Sequence, residues 1–306
     1  MNKNYYRLKK LLSNSWVIFS LLAKKELLNW LPDEIFLKLI YRGRLGKKLN
    51  LRKPKSFNEK MQWLKINDRN PLYCELVDKY EVRKYVASVI GINYLIPLLG
   101  IYDSFDEIDF NKLPDQFVLK CTHDSGGLVI CDSKNAFDYH MARKKITLCM
   151  KRNFYYQARE WPYKNVKPRI ICEKFLQDGV YSQLIDYKLL CFNGEVKCIF
   201  LISNRFSKDG YNVDVYDMHW NLIPLARRHH PNSREMISKP KSFDLMLVLA
   251  KKLTKDFTFM RVDFYDVNGQ LYFGELTLYP GAGFEEFVPE IYDDILGGWI
   301  KLPSSK

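Results

Sequence analysis

The sequence predicts an α+β fold in which antiparallel hairpins alternate with helices. Two apolar segments around a glycine-bearing loop, Phe117–Cys121 and Leu128–Cys131, predict the first hairpin. Two longer segments, 260–267 and 271–278, flank Asn268-Gly269 and predict a second one. Helical patterns lie between and before these hairpins. Because the strands are joined by short turns, we expect antiparallel sheets in two α+β lobes.

Composition places the chain among globular cytoplasmic proteins. The 306 residues are 47% hydrophobic and 15% aromatic, which is enough for one large or two modest cores. The seven cysteines contain no C-x-x-C pair, and their odd number indicates reduced thiols in a cytosol. Since no stretch approaches twenty apolar residues, we expect neither export nor a membrane span.

The N-terminal region is predicted to be helical and basic. Apolar residues between 11 and 30 alternate with lysines, as in a basic amphipathic helix or helix pair. Such a helix either packs on its own protein or lets residues 1–50 contact the inner face of a membrane peripherally. The net charge of +13 indicates an anionic partner. Since the sequence has no nucleic-acid-binding motif, we expect no nucleic acid.

We divide the chain into four regions, residues 1–70, 71–115, 116–172 and 173–306. The first is the basic helical region and the second an α/β lead-in. The third contains the glycine loop and the fourth the last hairpin. Beyond residue 70 the pattern predicts, in order, a helix at 78–90, a strand at 94–99, the first hairpin, a helix at 136–153, a strand at 169–175, strands at 187–192 and 197–202, a helix at 243–255 and the final hairpin.

A lysine and a glycine loop adjoin the first hairpin. Lys120 ends an apolar strand and precedes a loop that contains Ser125, Gly126 and Gly127. Backbone amides in such a loop can approach phosphate oxygens, and the lysine adds a cation, so the combination suits a nucleoside triphosphate. The alternative is an ordinary solvated lysine beside a turn.

Two carboxylates, Asp263 and Glu275, lie inside the apolar strands of the last hairpin. A three-residue loop at 268–270 or a one-residue bulge places them opposite each other, whereas a plain two-residue turn places them on opposite faces. Facing carboxylates can share Mg²⁺, and removing either one should then leave the metal-free stability level or raise it. The alternatives are a solvated sheet face, or pairing with Arg261 or a lysine, in which case removal destabilises.

The strands between the hairpins carry further polar residues. Asp186 and Lys188 are spaced to share one strand face, and Arg205 ends the next strand, so these side chains can reach one cleft. A surface ion pair explains Asp186 and Lys188 equally well. Residues 173–175 end a strand before a turn, where backbone groups can meet a purine ring.

Together these motifs resemble the ATP-grasp enzymes, and specifically the TupA-like branch, named for teichuronopeptide biosynthesis. The resemblance runs from about Lys53 to Pro303. The motifs that carry it are, in order, Pro54–Lys60 (PKSFNEK), Leu76–Tyr80 (LVDKY), Phe117–Gly127 (FVLKCTHDSGG), Cys172–Phe175 (CEKF), Asp186–Lys188 (DYK), Arg261–Asp263 (RVD), Gly274–Thr277 (GELT) and Tyr279–Gly281 (YPG).

The resemblance implies roles for these residues. Lys120 would contact the ATP phosphates beneath a mobile loop formed by His123, Ser125, Gly126 and Gly127. An adenine-holding hinge would consist of Glu173, Lys174 and Phe175. The earlier nucleotide-contacting lysine would be Lys79 or Lys84.

Catalytic and metal residues are implied in the same way. Lys188 stands where many members carry arginine in an Asp-x-Arg motif that would include Asp186, and Arg205 matches a phosphate-side arginine. Asp263 and Glu275 would be Mg²⁺ ligands, together with Thr277, which replaces the asparagine of many members. Since residues before 71 show no β-α-β pattern, we expect the usual N-terminal lobe to be reduced or replaced by helices.

The implied activity is an ATP- and Mg²⁺-dependent carboxylate-amine ligase that works through an acyl phosphate. The resemblance suggests that a small amine is joined to a uronic acid or aminoacyl carboxylate of a capsule, O-antigen or other surface polysaccharide. Two other classes stay open. A sugar-nucleotide glycosyltransferase would use Asp214-Val215-Tyr216-Asp217, and a non-catalytic membrane-associated assembly factor would use residues 1–50.

Overall fold

The computed structural model describes residues 15–177, 184–205, 210–233 and 236–303. In these ranges the α-helices are α1 (Ser15–Lys24), α2 (Asp33–Leu45), α3 (Phe57–Asn67), α4 (Tyr73–Val77), α5 (Val82–Val89), α6 (Tyr139–Met150), α7 (Tyr155–Ala158), α8 (Phe243–Thr254) and α9 (Ile291–Trp299). In the part of the chain that the structure describes, no helix combines the length and the apolarity needed to cross a membrane.

The strands form two main antiparallel sheets and a small third one. They are β1 (Leu98–Tyr102), β2 (Phe117–Cys121), β3 (Leu128–Cys131), β4 (Ile170–Lys174), β5 (Asp186–Phe192), β6 (Glu195–Ser203), β7 (Asn212–Tyr216), β8 (Ala226–Arg227), β9 (Phe259–Val267), β10 (Gln270–Thr277) and β11 (Phe287–Val288). The first sheet has the order β1-β4-β2-β3, the second β10-β9-β5-β6-β7, and β8 pairs with β11. The predicted α+β class is confirmed.

The first sheet buries one face under α6. In β2, Phe117, Leu119 and Cys121 are buried, while Val118 and Lys120 alternate with them. Because successive strand residues point to opposite faces, Lys120 lies on the face away from the core of this lobe.

The second sheet buries one face under α8, which contacts β5, β6 and β9. The buried residues of α8 recur at helical spacing, as expected for a helix that covers a sheet. The other face carries Lys188 on β5 and Asp263 on β9, which are register partners. This open face is therefore available to build a site.

Helix α3 joins the N-terminal region to the end of the chain. A capping box between Ser56 and Glu59 fixes its start. Asn58 Nδ2 donates to the Glu285 carbonyl at 2.8 Å and to Asp293 Oδ1 at 3.0 Å, and Lys60 Nζ donates to two carbonyls near residue 300. The PKSFNEK motif thus acts as a brace for residues 280–300.

Several boundaries differ from the sequence prediction. The strand predicted at 94–99 begins only at Leu98, because residues 92–94 form a 3₁₀ turn and Pro97 has no N–H to donate to a ladder. The helix predicted from residue 78 begins at Val82, since Asp78 accepts backbone bonds that make a turn there. Strand β7 and helix α9 were not predicted. The division between residues 172 and 173 falls inside β4, which belongs to the first sheet.

The described N-terminal helices pack on the protein itself, which is one of the two alternatives given for them above. Ala23, Phe36 and Tyr41 belong to a separate buried cluster that also includes Ala158 and Phe284. Within the described ranges helices α1 to α5 precede the first strand, in agreement with an N-terminal lobe replaced by helices. Residues 1–14 of the proposed membrane-contacting segment lie outside the described ranges.

Candidate functional site

The two main sheets face each other across a cleft. A cavity of about 370 Å³, here called the central cavity, lies between them. The first sheet contributes Lys120 and the loop residues Ser125, Gly126 and Gly127, and the second contributes Lys188, Asp263 and Glu275. The structure therefore brings together residues that are up to 155 positions apart in the chain.

A second cavity of about 560 Å³ adjoins the first and shares Lys120, Leu128, Glu173, Arg205 and Tyr265 with it. Here called the side cavity, it also borders Lys174, Phe175 and Asp186. Its apolar walls include Val118, Leu128, Ile130 and Leu176. The predicted hinge residues thus lie at an apolar pocket next to the central cavity.

A row of polar side chains crosses the second sheet. Lys188, Asp263 and Glu275 are register partners on β5, β9 and β10. The turn of the last hairpin has two residues, since Val267 pairs with Gln270, and a one-residue bulge at Gly274 restores the facing register. The bulge alternative is therefore correct and the three-residue loop is wrong.

Arg261 joins the two carboxylates. Its NH2 nitrogen lies 2.8 Å from Asp263 Oδ2 and 2.7 Å from Glu275 Oε1, so these oxygens are at most about 5.5 Å apart. Arg261 Nε also donates to Asp263 Oδ1 at 2.6 Å, and Lys188 donates to Asp263 Oδ2. Asp263 and Glu275 therefore face each other and also pair with Arg261, two arrangements that the sequence alone left as alternatives.

The charges around Glu275 explain its protonation state. Burial opposes ionisation, but Arg261, Lys188 and more distant lysines outweigh it and lower the pKa of Glu275 to about 2. Burial and the neighbouring Arg261 lower the pKa of Lys188. The cations around Glu275 therefore favour its ionised form.

The carboxylate oxygens of Asp263 and Glu275 suit Mg²⁺, which prefers hard oxygen ligands. In the described ranges no group of three or more histidine, cysteine, aspartate or glutamate residues could hold a metal by itself. Since Mg²⁺ commonly binds one or two carboxylates with substrate phosphates and water, these two residues fit a cation that arrives with a nucleotide.

Thr277 lies outside this cavity. Its hydroxyl donates to Glu275 Oε1 at 3.3 Å, and its side chain does not line the cleft. Thr277 follows Glu275 by two residues on the same strand face, but it sits one row further from the cleft, opposite Arg261. Thr277 therefore supports Glu275, and its role as a metal ligand stays a prediction.

The glycine loop has a fixed shape. Asp124 Oδ1 accepts a hydrogen bond from the Gly127 N–H at 3.1 Å, and Lys79 Nζ donates to the Asp124 carbonyl at 2.5 Å. Gly126 has φ +116°, which is strained for other residues, and a Cβ on Gly127 would lie 2.7 Å from the side chains of Asp124 and Cys121. Gly126 is thus required by its backbone conformation, and Gly127 by the small space that the side chains of Asp124 and Cys121 leave.

Lys120 is held at the boundary of the two cavities. Its Nζ lies 2.7 Å from Glu173 Oε2, and Arg83 NH1 lies 3.0 Å from Glu173 Oε1. Glu173 is buried between two cations, so its side chain positions Lys120. Of the two candidates for an earlier lysine, Lys79 lines the central cavity, whereas Lys84 is exposed and pairs with Glu81.

His123 does not line either cavity, contrary to the prediction that it covers the nucleotide. Its ring is buried behind the loop, with Nε2 3.3 Å from the Cys149 carbonyl at the end of α6. Burial lowers the pKa of His123. Packing against α6 turns the side chain away from the cleft, although its neighbours Asp124 to Gly127 border it.

The remaining predicted residues are paired in the structure. Arg205 donates to Asp186, and both lie at the side cavity. Asp214, proposed for a glycosyltransferase, is buried and accepts the Ser233 N–H at 2.9 Å. Asp217 accepts two backbone bonds at 2.8 Å in a turn. The aspartates of that alternative serve local structure and do not line the cleft.

Three residues of the site were not predicted from the sequence. Arg83 lies one position before the candidate Lys84, and Tyr265 follows Asp263 by two, the strand period that marks the same face. Arg261 was considered only as a competitor of the metal. Strand periodicity could have identified Tyr265, whereas nothing in the local pattern indicates Arg83.

A family model described as TupA-like ATPgrasp matches residues 59–301 of the chain. No curated protein matches this chain. Among solved structures, D-alanine–D-alanine ligase from Bacillus anthracis complexed with ATP matches at 17% identity and a TM-score of 0.38, over 67% of this chain and 55% of that one. L-amino acid ligase from Bacillus licheniformis matches at 14% identity and a TM-score of 0.42, over 86% and 55% of the two chains.

N5-carboxyaminoimidazole synthetase from Staphylococcus aureus complexed with ADP matches at 14% identity and a TM-score of 0.40, over 75% of this chain and 53% of that one. The chain thus spans little more than half the length of these solved structures.

Proposed function

Because the chain belongs to the TupA-like ATP-grasp family, we propose that it is an ATP- and Mg²⁺-dependent ligase that joins a carboxylate to an amine. The observation that carries the proposal is the row of Lys188, Asp263 and Glu275, which faces Lys120 and the glycine loop across one cavity. Cations, backbone amides and paired carboxylates around one cavity are the groups that a magnesium nucleotide requires.

In this proposal each residue acts on a defined part of the nucleotide. Lys120 and the amides of Ser125 to Gly127 bind the phosphates, while the apolar walls of the side cavity bind the adenine. Asp263 and Glu275 hold Mg²⁺, which when bound neutralises charge on the transferred phosphoryl group. Lys188 and Arg205 stabilise the same developing charge from the second sheet.

The proposed reaction has two steps. A substrate carboxylate attacks the γ-phosphorus of ATP, and the bond to the β-phosphate oxygen breaks to give an acyl phosphate and ADP. The amine then attacks the acyl carbon, releases phosphate and loses a proton, which leaves an amide. Phosphorylation is needed because a carboxylate does not expel oxide, whereas phosphate is a competent leaving group.

We place the reaction in the assembly of a surface polysaccharide, with a carboxylate-bearing glycan precursor as the acceptor and a small amine as the donor. The net charge of +13 supports an acidic acceptor. We also propose a cytoplasmic location with peripheral membrane contact through residues 1–50. In the described part of this segment Leu21, Leu27 and Trp30 are exposed next to the exposed Lys25.

Thermal unfolding with different nucleotides tests the proposal. ATP with Mg²⁺ should raise the melting temperature, because a ligand that binds the folded state stabilises it by mass action. UDP-sugars at the same concentration should leave it unchanged. A larger shift with UDP-sugars would favour a glycosyltransferase, and no shift with any nucleotide would favour an assembly factor.

A further inference from the structure

The turn before α5 contributes a cation to the central cavity. Lys79 lies in the LVDKY motif, and its side chain borders this cavity beside the glycine loop. Its backbone N–H donates to the Thr122 carbonyl at 3.1 Å, directly after β2 ends at Cys121. Its Nζ donates to the Asp124 carbonyl at 2.5 Å. Lys79 therefore holds the glycine loop while its side chain borders the proposed phosphate site.

The residues around Lys79 are held by one arginine that is distant in the chain, Arg169. Its NH2 nitrogen lies 2.8 Å from Asp78 Oδ2 and 2.9 Å from Glu81 Oε1. Its Cζ lies 4.8 Å from the centroid of the Tyr80 ring, within the range of a cation–π contact. Three residues that flank Lys79 thus contact a single guanidinium group.

Asp78 links Arg169 to the shape of the turn. Its Oδ1 accepts the Tyr80 N–H at 2.7 Å and the Glu81 N–H at 3.2 Å. Its Oδ2 accepts from Arg169. An aspartate that bonds to backbone amides two and three residues later fixes a local turn. One carboxylate therefore sets the backbone at Lys79 with one oxygen and binds Arg169 with the other.

The backbone of Arg169 takes part in the same contact. Arg169 lies one residue before β4, and its carbonyl accepts the Thr122 N–H at 2.9 Å. Since the Thr122 carbonyl accepts from Lys79, Arg169 and Lys79 bind the two backbone groups of one residue. Arg169 thus fastens the turn to Thr122, where the chain enters the glycine loop.

The contact between Arg169 and the turn is largely buried. The side chains of Asp78 and Arg169 are 4% and 15% exposed. Removing one partner of such a pair leaves the other charge unpaired, which favours movement of the turn. Among the described residues, those that line the central and side cavities do not include Arg169. Any effect of Arg169 on a ligand there must therefore pass through the turn.

We propose that Arg169 is a positioning residue for the nucleotide site, and that it acts by holding Lys79 against the glycine loop. The inference rests on the proposed function, because it assigns Lys79 to the phosphates of ATP. Arg169 keeps Lys79 in place before the nucleotide arrives, so binding does not have to order this side chain. Without Arg169 the turn can leave Thr122, and the cavity loses a cation together with a support of its loop.

A double-mutant cycle of Arg169→Gln and Lys79→Ala in the full-length protein tests this inference, with the affinity for AMP-PNP and Mg²⁺ measured by calorimetry. Lys79→Ala should weaken AMP-PNP binding about tenfold or more, since a charged hydrogen bond is lost. Arg169→Gln should weaken it about fivefold or more through the displaced lysine. Because both changes act on the same cation, the double variant should bind about as weakly as Lys79→Ala alone.

Two further variants control this cycle. Arg143→Gln should leave AMP-PNP affinity unchanged, because Arg143 is 55% exposed on α6, pairs with Asp106 and lines neither cavity. Asp78→Asn replaces Arg169→Gln if that variant does not fold. An asparagine keeps an oxygen for the two backbone N–H groups but loses the ion pair, so its effect should be similar and should also not add to Lys79→Ala.

Amide hydrogen exchange measures the position of Lys79 without a ligand. The Lys79 N–H is bonded to the Thr122 carbonyl, so it exchanges only when this contact opens. Arg169→Gln should speed its exchange about fivefold or more, whereas amides in β5 should exchange as in the wild-type protein. Arg143→Gln should change neither. This measurement decides the question if Lys79→Ala binds AMP-PNP too weakly to titrate.

Full AMP-PNP affinity in Arg169→Gln, unchanged exchange at Lys79, or equal weakening by Arg169→Gln with and without Lys79 would each overturn the inference. The last result would show that Arg169 acts on the site independently of Lys79. AMP-PNP binding to the wild-type protein is measured first, since its absence would refute the proposed function. Normal wild-type binding with an additive cycle refutes the positioning role alone.

Discussion

Asp263→Asn and Glu275→Gln are expected to differ in stability although both remove a proposed metal ligand. Asp263 is 2% exposed and accepts hydrogen bonds from two largely buried cations, Arg261 and Lys188. Breaking a buried ion pair by removing one partner typically costs about 3–5 kcal/mol, so Asp263→Asn should lose an amount of this order. Glu275 is 42% exposed and has one contact with Arg261, at 2.7 Å, and exposed pairs contribute only about 0–1 kcal/mol.

This expectation corrects the one drawn from the sequence. Two facing carboxylates without a cation would repel each other, so removing Asp263 should not have destabilised the metal-free protein. In the structure Arg261 and Lys188 neutralise that repulsion, and the carboxylate is a necessary partner for both. The metal-free protein thus uses its own cations where the proposed Mg²⁺ would bind.

Urea unfolding of both variants without Mg²⁺, followed by tryptophan fluorescence, measures the difference in free energy. Phosphate release with Mg²⁺ and ATP is measured on the same samples, and both variants should lose it. Equal destabilisation by the two substitutions, or a loss below about 1 kcal/mol for Asp263→Asn, would refute the assignment of Asp263 as the buried partner.

Three further predictions follow from the same geometry. Lys120→Ala should lower ATP affinity about tenfold or more, while Arg83 keeps Glu173 paired and the fold intact; unchanged affinity in calorimetry would exclude Lys120 as a phosphate ligand. Deleting residues 1–30 should reduce stability, because Arg159 loses its hydrogen bond to the Leu28 carbonyl. The truncated protein should keep its ATP affinity but no longer co-sediment with anionic vesicles. A folded truncation that cannot bind ATP would show that this segment helps to build the site. The folded-state pKa of Glu275, about 2, lies below its ordinary value of 4.5, so ionised Glu275 favours folding above about pH 4.5, and this contribution disappears as the pH falls towards 2. Because the Glu275 side chain is 42% exposed, solvent screening keeps this contribution at about 1 kcal/mol or less, so Glu275→Gln should flatten the acid limb of stability against pH only slightly, and a steeper acid limb or a larger loss of stability at neutral pH would contradict the pairing.

The last hairpin shows what could be predicted from sequence and what could not. Asn268-Gly269 and the flanking apolar segments gave both strands and their turn, because these signals are local. The register depended on a bulge at Gly274, which an isolated strand glycine permits but does not fix. The facing of Asp263 and Glu275 could thus be stated only as one of several alternatives.

In the glycine loop, the direction of each side chain was the feature that could not be predicted from the sequence. Gly126 and Gly127 could be identified from the sequence, and each meets a different local need: Gly126 has a positive φ that glycine adopts readily, and Gly127 leaves no room for a Cβ. His123 lies in the same loop, yet its direction depends on α6, which follows it by many residues. A residue can be assigned to a loop from the sequence, but the direction of its side chain depends on tertiary packing.

The ion pair between Arg227 and Glu285 could not be predicted from sequence at all. Arg227 and Glu285 are distant in the chain, and they meet because β8 pairs with β11. Asn58 holds Glu285 from an N-terminal helix. The PKSFNEK motif was recognisable in the sequence, but its role as a brace for this corner appears only when α3 and residues 280–300 are seen together.

Calorimetric titration with AMP-PNP, with and without Mg²⁺, tests most directly whether the row across the second sheet is the metal end of a nucleotide site. The comparison uses the wild-type protein and Glu275→Gln, because Glu275 lines the central cavity but contributes little to stability. Mg²⁺ should increase AMP-PNP affinity in the wild-type protein, and this gain should disappear in Glu275→Gln. An equal gain in both proteins would contradict the assignment of the cleft.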